Sequence, residues 1–361
     1  MTDYIRQQNK YVYSINRKNN IGFVRYLLAF AVMVSHFNTL CGSEMTCVLN
    51  AYDAVCGFFV LSGFLLIYSV LKGKSLSNYL IDRCWRLLPS YFLVVVMASL
   101  LLSLVSTLPA GVYFTSKDFW EYLGANLLTL NFLHPSLPGV FDGLYNDAVN
   151  GSLWTIKIEW QLSLTVPFLL LFLRKFKIDL RKAIIVVLLF SLVYRTVLWE
   201  LYESTGKEIY EILSRQLLGQ LGFFYCGALF YTYYEQVTRN LWKIAVASVA
   251  VFIIFKYFIA SAFYDDFGYT IILTAVVVSV SLIPFDIGYF LDRGNNISYE
   301  IYLCHYPIFQ IFAKYGLPEQ LGMAWSFTLA TGCTIVTSVI VYVSVGRLYR
   351  TRKERLASKN K

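Results

Sequence analysis

Residues 21–40 read IGFVRYLLAFAVMVSHFNTL. The stretch is apolar and long enough to cross a bilayer as one helix, for which about 20 residues suffice. It nevertheless carries Arg25 and His36. Eleven helical steps of ~100° come to about three full turns, so the two side chains share a face, ~16 Å apart along the axis. Ionisable groups inside a span are expensive and by default mark a functional site. The plainer reading is that Arg25 snorkels to the interface while His36 bonds a neighbouring helix.

The rest of the chain agrees with a membrane setting. With 361 residues, 57% hydrophobic and 15% charged, it is not a soluble domain. Apolar stretches recur along the whole length, so the membrane is its solvent and the fold is all-α. A net charge of +9 is compatible with nucleic-acid binding, but the basic residues lie in short loops and tails, so no nucleic-acid partner is expected. The polar first twenty or so residues and the length of the first apolar run argue against a cleavable signal peptide. Seven cysteines are scattered without metal-ligand spacing, so no metal is expected. Cys56, Cys226, Cys304 and Cys333 read as packing residues. Cys41 and Cys47 flank an outer turn and could pair on an oxidising face.

About ten spans are predicted: roughly 21–40, 49–71, 88–107, 154–173, 183–200, 212–234, 243–262, 268–285, 297–314 and 323–346. Basic residues then fall on one side. The N-terminal tail, residues 1–20, holds Arg6, Lys10, Arg17 and Lys18, and the next connection holds Lys72, Lys74, Arg83 and Arg86. The loop Arg174 to Lys182 and the basic tail 347–361 complete the set. The opposite loops include HPSLPGVFDGLYNDAVNGS (134–152) and the acidic stretch from Glu200 to Glu211. By the positive-inside rule both termini are cytoplasmic. Trp120 to Leu133 is apolar but too short to span, and reads as a re-entrant or interfacial helix on the outer side. No appended soluble region is visible, so residues 1–361 are read as one membrane domain.

Depth sorts the polar residues. Arg25 lies ~7 Å inside the cytoplasmic end of the first span and His36 ~6 Å from its outer end. Arg83 and Arg86 fall just before a span expected to begin near Pro89, a residue suited to a first helical turn. Two guanidinium forks beside free backbone N–H groups would make a phosphate site; plain positive-inside topology also accounts for them. Glu159 lies ~9 Å deep, level with His36, where a carboxylate could orient the imidazole or bond a sugar hydroxyl. A structural pair with Lys157 or Arg195 is the alternative. Ser62 and Gly63 allow close helix approach or leave room for a narrow channel. His305 lies mid-span in ISYEIYLCHYPIFQIF, where an interhelical hydrogen bond is its expected role. His134, beside Pro135, has little to recommend it as a site. The cationic cluster and the His36/Glu159 level are separated by about the reach of a pantetheine arm, on the order of 15–20 Å against the ~16 Å rise.

These residues resemble the acyltransferase-3 family of bacterial integral-membrane O-acyltransferases. The matching blocks are Arg25 and His36 in the first span, FFVLSGFLL (58–66), Arg83 and Arg86 followed by LLPSY, NGSLWTIKIEW (150–160) and ISYEIYLCHYPI (297–308). They occur in family order nearly end to end; DAVCG before Phe58 and Glu300 are departures. The resemblance implies about ten spans, acetyl-CoA or another acyl-CoA as donor, and transfer to a hydroxyl of a cell-envelope glycan. It implies an essential His36, with Arg25, Arg83 and Arg86 engaged by the donor. Ser62, Asn150, Trp154, Tyr299 and His305, from the matching blocks, are candidates for lining the acceptor site or channel.

The expected protein is therefore an O-acetyltransferase of the bacterial inner membrane. Its acceptor would be a surface polysaccharide such as O-antigen of lipopolysaccharide, polymeric or lipid-linked. Neutral His36 would serve as general base, with Glu159 setting its tautomer; a transient acyl-His36 is the other route. Membrane lipids surround it, and a separate extracytoplasmic partner is possible, since some relatives carry an extra outer domain. The rival reading is a proton-coupled secondary transporter with His36 and Glu159 as relay, although no inverted repeat is apparent.

Overall fold

The computed structural model describes residues 11–16, 18–258, 267–285, 296–348 and 351–352. The basic residues Arg6, Lys10 and Arg17, most of the C-terminal tail and residues 259–262 of the seventh expected span lie outside them. Within the described residues the chain is helical, with no strand. In chain order the helices are α1 (Ile21–Cys41), α2 (Ala51–Leu71), α3 (Leu76–Leu101), α4 (Ala110–Thr115), α5 (Lys117–Leu127), α6 (Trp154–Phe176), α7 (Leu180–Thr205) and α8 (Glu208–Ser214). There follow α9 (Leu217–Thr232), α10 (Tyr234–Arg239), α11 (Leu241–Phe258), α12 (Phe267–Leu282), α13 (Ser298–Lys314), α14 (Leu317–Leu321) and α15 (Met323–Val341).

Each expected span has a helix. Seven segments, α1, α2, α3, α6, α7, α11 and α15 with their short extensions, are long and apolar enough to cross a membrane. The other three, α9, α12 and α13, run 16, 16 and 17 residues, against about 20 for a full crossing. They have a reason to differ. Twelve residues of α9 and twelve of α13 are buried, so these helices face protein and can carry polar groups such as Gln220, Glu300, His305 and Gln310. α7, by contrast, keeps a lipid-facing side. α7 buries a stripe at helical spacing, Leu180, Ile184, Leu188, Ser191, Arg195 and Leu198, while Val186, Phe190, Val193 and Val197 are exposed. So much exposed apolar surface is what a soluble protein avoids and a bilayer accepts. α5 has 11 residues, or ~16 Å of helix, about half a crossing.

The chain divides into two compact units, each drawn from three stretches. The first takes in residues up to Leu28, Tyr52–Ile81 and Ile158–Arg293. Here α2 and α9 touch backbone to backbone. A Cβ at Gly63 would collide with the Phe224 carbonyl, and one at Gly227 with the Val60 carbonyl. That is the close approach expected of FFVLSGFLL, since only small residues let two helices come this near. α6 contains Pro167, which has no N–H for the carbonyl four residues back. That carbonyl, of Ser163, instead accepts from the Tyr79 hydroxyl at 2.8 Å.

The second unit takes in Ala29–Ala51, Asp82–Lys157 and Gly294 onward. Its α13 contains Pro307, which likewise orphans the Leu303 carbonyl. Asn150 Nδ2 donates to it at 2.8 Å. Asn150 Oδ1 meanwhile accepts from Ser152 Oγ at 2.6 Å and from the Ser152 N–H. One asparagine thus shapes the turn before α6 and repairs α13. The irregular segment 128–149 is tied to the far end of the same helix. Gln310 Nε2 donates to the Asn146 and Ala148 carbonyls at 2.6 and 2.9 Å, and Lys314 donates to the carbonyls of Val105 and Val140.

Two expectations are corrected. The third span does not begin near Pro89: α3 starts at Leu76 and runs through it, with Pro89 inside. Arg83 and Arg86 are therefore interior helical residues whose backbone N–H groups lie beyond the orphan first turn. The predicted helix-terminus contribution to a phosphate site is absent, and only side chains remain. Nor do Cys41 and Cys47 pair; both are free thiols. Cys41, buried at the end of α1, points its sulfur at the Phe309 carbonyl of α13, 3.8 Å away.

Candidate active site

The second unit holds a histidine pair. His36 of α1 is half-buried, and His305 of α13 is fully buried. His36 Nδ1 lies 2.7 Å from His305 Nε2, a strong hydrogen-bond distance. The ring planes are only 3° apart, with centroids 5.0 Å apart. Two rings stacked face to face cannot bring their nitrogens closer than the thickness of a ring. The bond therefore runs edge to edge, in the common plane of both imidazoles. His305 Nδ1 in turn faces the Ile301 carbonyl at 3.2 Å. Among the described residues, His36 Nε2 has no hydrogen-bond partner.

Aromatic rings enclose the pair. Tyr306 is edge-on to His36 at 5.2 Å, Phe309 edge-on to His305 at 5.6 Å and Tyr302 tilted at 5.8 Å. Edge-to-face contacts of this kind fix ring orientation as well as burying area. Tyr302 is itself held, its hydroxyl 2.7 Å from Thr155 Oγ1. Gly151 is required beside the site, since a Cβ there would lie 2.7 Å from the Tyr306 hydroxyl. The blocks around Asn150 and His305 are thus one structural assembly.

Arg83 and Arg86 lie on α3 in the same unit, three residues apart and so on one helical face. Arg83 is buried and Arg86 half-buried. Around them, Asp82 pairs with Arg352 at 2.7 Å. The Tyr299 hydroxyl donates to the Leu87 carbonyl at 2.9 Å, so Tyr299 braces α3 against α13. Glu300, buried, accepts from Ser90 Oγ at 2.8 Å and packs so tightly against Gly346 that a Cβ there would lie 2.6 Å from its Oε1. Trp154 opens α6 and is half-buried.

Three expected site residues fall in the first unit. Arg25 is half-buried on α1. Ser62 Oγ donates to Glu159 Oε1 at 3.2 Å, which joins two candidate residues from different blocks. Arg195 lies 3.5 Å from Thr270 Oγ1 and over the Phe223 ring. At Nδ1 of His36, the hydrogen-bond partner is His305. The interhelical bond foreseen for His305 is present, and its partner is the residue on which the chemistry was expected to rest. His134 forms a surface contact with Glu121, 3.7 Å apart.

A multi-pass helical membrane protein in which a half-buried and a buried histidine share one in-plane bond is the class that fold and site define. The sequence places it further. The family model described as "Acyltransferase domain" matches residues 18–343, and the chain belongs to this acyltransferase-3 family. It is 27% identical to "Nodulation protein 10" of Rhizobium leguminosarum bv. viciae over 176 residues, 46% of this chain and 47% of that protein. It is 21% identical to "O-acetyl transferase" of Shigella phage Sf6 over 345 residues, 94% of this chain and 98% of that protein. The chain thus spans about half of the first relative (47%) and nearly all of the second (98%). No solved structure matches.

Proposed function

We propose that the protein is an O-acetyltransferase of a bacterial inner membrane, with both termini in the cytoplasm. It moves an acetyl group from cytoplasmic acetyl-CoA to a hydroxyl of a surface polysaccharide, such as O-antigen, or of its lipid-linked precursor. The observation that carries this reading is the histidine pair: His36 is held at one ring nitrogen and open at the other, within an acyltransferase-3 chain. The full-length similarity to a protein called an O-acetyl transferase supports an oxygen acceptor.

The donor supplies an activated acyl thioester. Arg83 and Arg86 would hold its phosphates, and their fit rests on two guanidinium groups, one of them buried, on one face of α3. Phosphate oxygens match the fork geometry of a guanidinium group. Arg25 is a third contact proposed from the sequence alone. His36 takes the proton of the acceptor hydroxyl as that oxygen attacks the thioester carbon. The C–O bond forms, the C–S bond breaks, and His36 gives the same proton to the departing sulfur, so the imidazole ends as it began. No metal is needed for this sequence of proton transfers.

The test is mass spectrometry of surface glycan from cells with and without the gene, together with transfer of labelled acetyl from acetyl-CoA in isolated membranes. Expected are glycan repeats heavier by one acetyl group, released by mild base as an ester, and label in the glycan. An unchanged glycan with no acetyl transfer, in membranes where the protein is present, overturns the reading.

A further inference from the structure

We infer that His305 is a positioning residue that fixes the tautomer of His36 and thereby selects Nε2 as the nitrogen that meets the acceptor hydroxyl. The inference rests on the acyl transfer proposed above and adds to it the identity of the working atom.

The chain of reasoning starts at the Ile301 carbonyl. A carbonyl can only accept, so the nitrogen facing it, His305 Nδ1 at 3.2 Å, carries the hydrogen. A neutral imidazole with Nδ1–H has its lone pair on Nε2. The nitrogen opposite that lone pair is His36 Nδ1, 2.7 Å away and in the ring plane, where a σ lone pair points. His36 Nδ1 must then donate. Its own lone pair is left on Nε2, the atom without a partner among the described residues. One backbone carbonyl, one turn back in α13, thus sets the protonation of two rings in series.

The arrangement also serves the reaction. When His36 takes a proton at Nε2, its Nδ1–H becomes a cationic donor, and the His305 lone pair is already aimed at it. The bond strengthens as charge develops, so it stabilises the later state more than the resting one, which is what catalysis requires. The aromatic ring contacts of Tyr302, Tyr306 and Phe309 hold both imidazoles in the plane that makes this possible. The opposite arrangement has a cationic His305 donating to His36 Nδ1. It would put the hydrogen of His36 on Nε2 and leave nothing there to accept the hydroxyl proton.

Two measurements test this. The chain has three histidines, so ¹⁵N-histidine labelling of the detergent-solubilised protein, in a His134→Asn background, reports only the pair. Two-bond ¹⁵N–¹H correlations should show His36 protonated at Nδ1, and His305→Phe should turn that into a tautomer mixture. Kinetics supply the second arm. His305→Gln keeps an acceptor near the position of Nε2 and should retain most activity. His305→Phe keeps the ring volume but no acceptor, and should lose about 10²-fold in kcat with the donor KM within about threefold. A packing role predicts the reverse order, Phe active and Gln impaired. Hydrogen on His36 Nε2, or that reversed order, overturns the inference. An active His36→Gln variant, with the tautomer as stated, would instead sink the proposed acyl transfer and leave the tautomer assignment standing.

Discussion

Each unit buries a polar cluster, and the two clusters are finished differently. In the first unit Asp53, in the opening turn of α2, accepts from Lys256 at one carboxylate oxygen and from the Tyr269 hydroxyl at the other. The site is closed: both oxygens are met, the charge is paired, and the N-terminal end of a helix favours an anion. In the second unit the His36–His305 pair is open at one atom. His36 is only half-buried, so its second ring nitrogen can stay without a protein partner and be met by an incoming group. Both clusters contain ionisable side chains in an apolar setting; the difference between structure and reactivity lies in what remains unbonded.

Substitution should separate the two. His36→Gln keeps size and hydrogen bonding but cannot take a proton, so acetyl transfer should fall by on the order of 10²–10⁴-fold with thermal stability and donor binding unchanged. Asp53→Ala should do the opposite. Stranding Lys256 costs about 3–5 kcal/mol of stability, read as a lower unfolding midpoint, while kcat of the folded fraction stays at the parent value. Replacing both partners with apolar residues, Asp53→Leu with Lys256→Met, should recover much of the loss. A His36→Gln protein that is active but unstable, or a stable Asp53→Ala protein without activity, would invert the comparison.

Arg83 and Arg86 test whether the second unit also binds the donor. Each alanine substitution removes a charge-assisted contact of roughly 1.5–3 kcal/mol, or about 10- to 100-fold in the dissociation constant for acetyl-CoA. Lysine should rescue only in part, because the bidentate fork is lost. Arg86→Ala is the cleaner variant, since Arg83 is buried and its loss also leaves a cavity. If both alanine variants bind acetyl-CoA as the parent does, in a direct titration, the donor assignment fails.

The parts of this arrangement differ in how far sequence reveals them. The seven helices long and apolar enough to cross a membrane were legible because apolar runs of that length have no other stable solution in a bilayer. Arg25 and His36 stood out as ionisable groups inside such a run. The in-plane bond between His36 and His305 was not legible: it joins residues 269 positions apart, and nothing in local periodicity says which faces meet. The sequence did offer His305 an interhelical bond, but no means of naming the partner. Pro89 misled in the other direction, since a proline that suits a first turn also occurs inside a helix whose neighbours tolerate the lost bond. The pairing of Asp53, in the DAVCG departure, with Lys256 was not legible because the two lie 203 positions apart and each sits near the end of an apolar run, where snorkelling is the default reading.

The smallest expected effect concerns the prolines, and it asks whether the two units are built by one rule. Pro307 and Pro167 each leave a carbonyl without its helical donor, and a distant side chain meets each one: Asn150 at Leu303, Tyr79 at Ser163. If that is why these side chains are there, their value depends on the proline. Asn150→Ala should cost about 1–3 kcal/mol, the penalty for a buried group left unsatisfied. In a Pro307→Ala background, residue 307 regains an N–H, the Leu303 carbonyl recovers its own helical bond, and the same Asn150→Ala change should cost visibly less. Tyr79→Phe should behave likewise with and without Pro167→Ala, with a smaller total cost because Asn150, unlike Tyr79 at Ser163, also shapes its own turn through Ser152. Double-mutant cycles on detergent thermal midpoints measure both couplings. Additivity to within about 0.5 kcal/mol in either cycle would mean that the side chain and the proline in that unit act independently, and that the two units share a motif in appearance but not in energy.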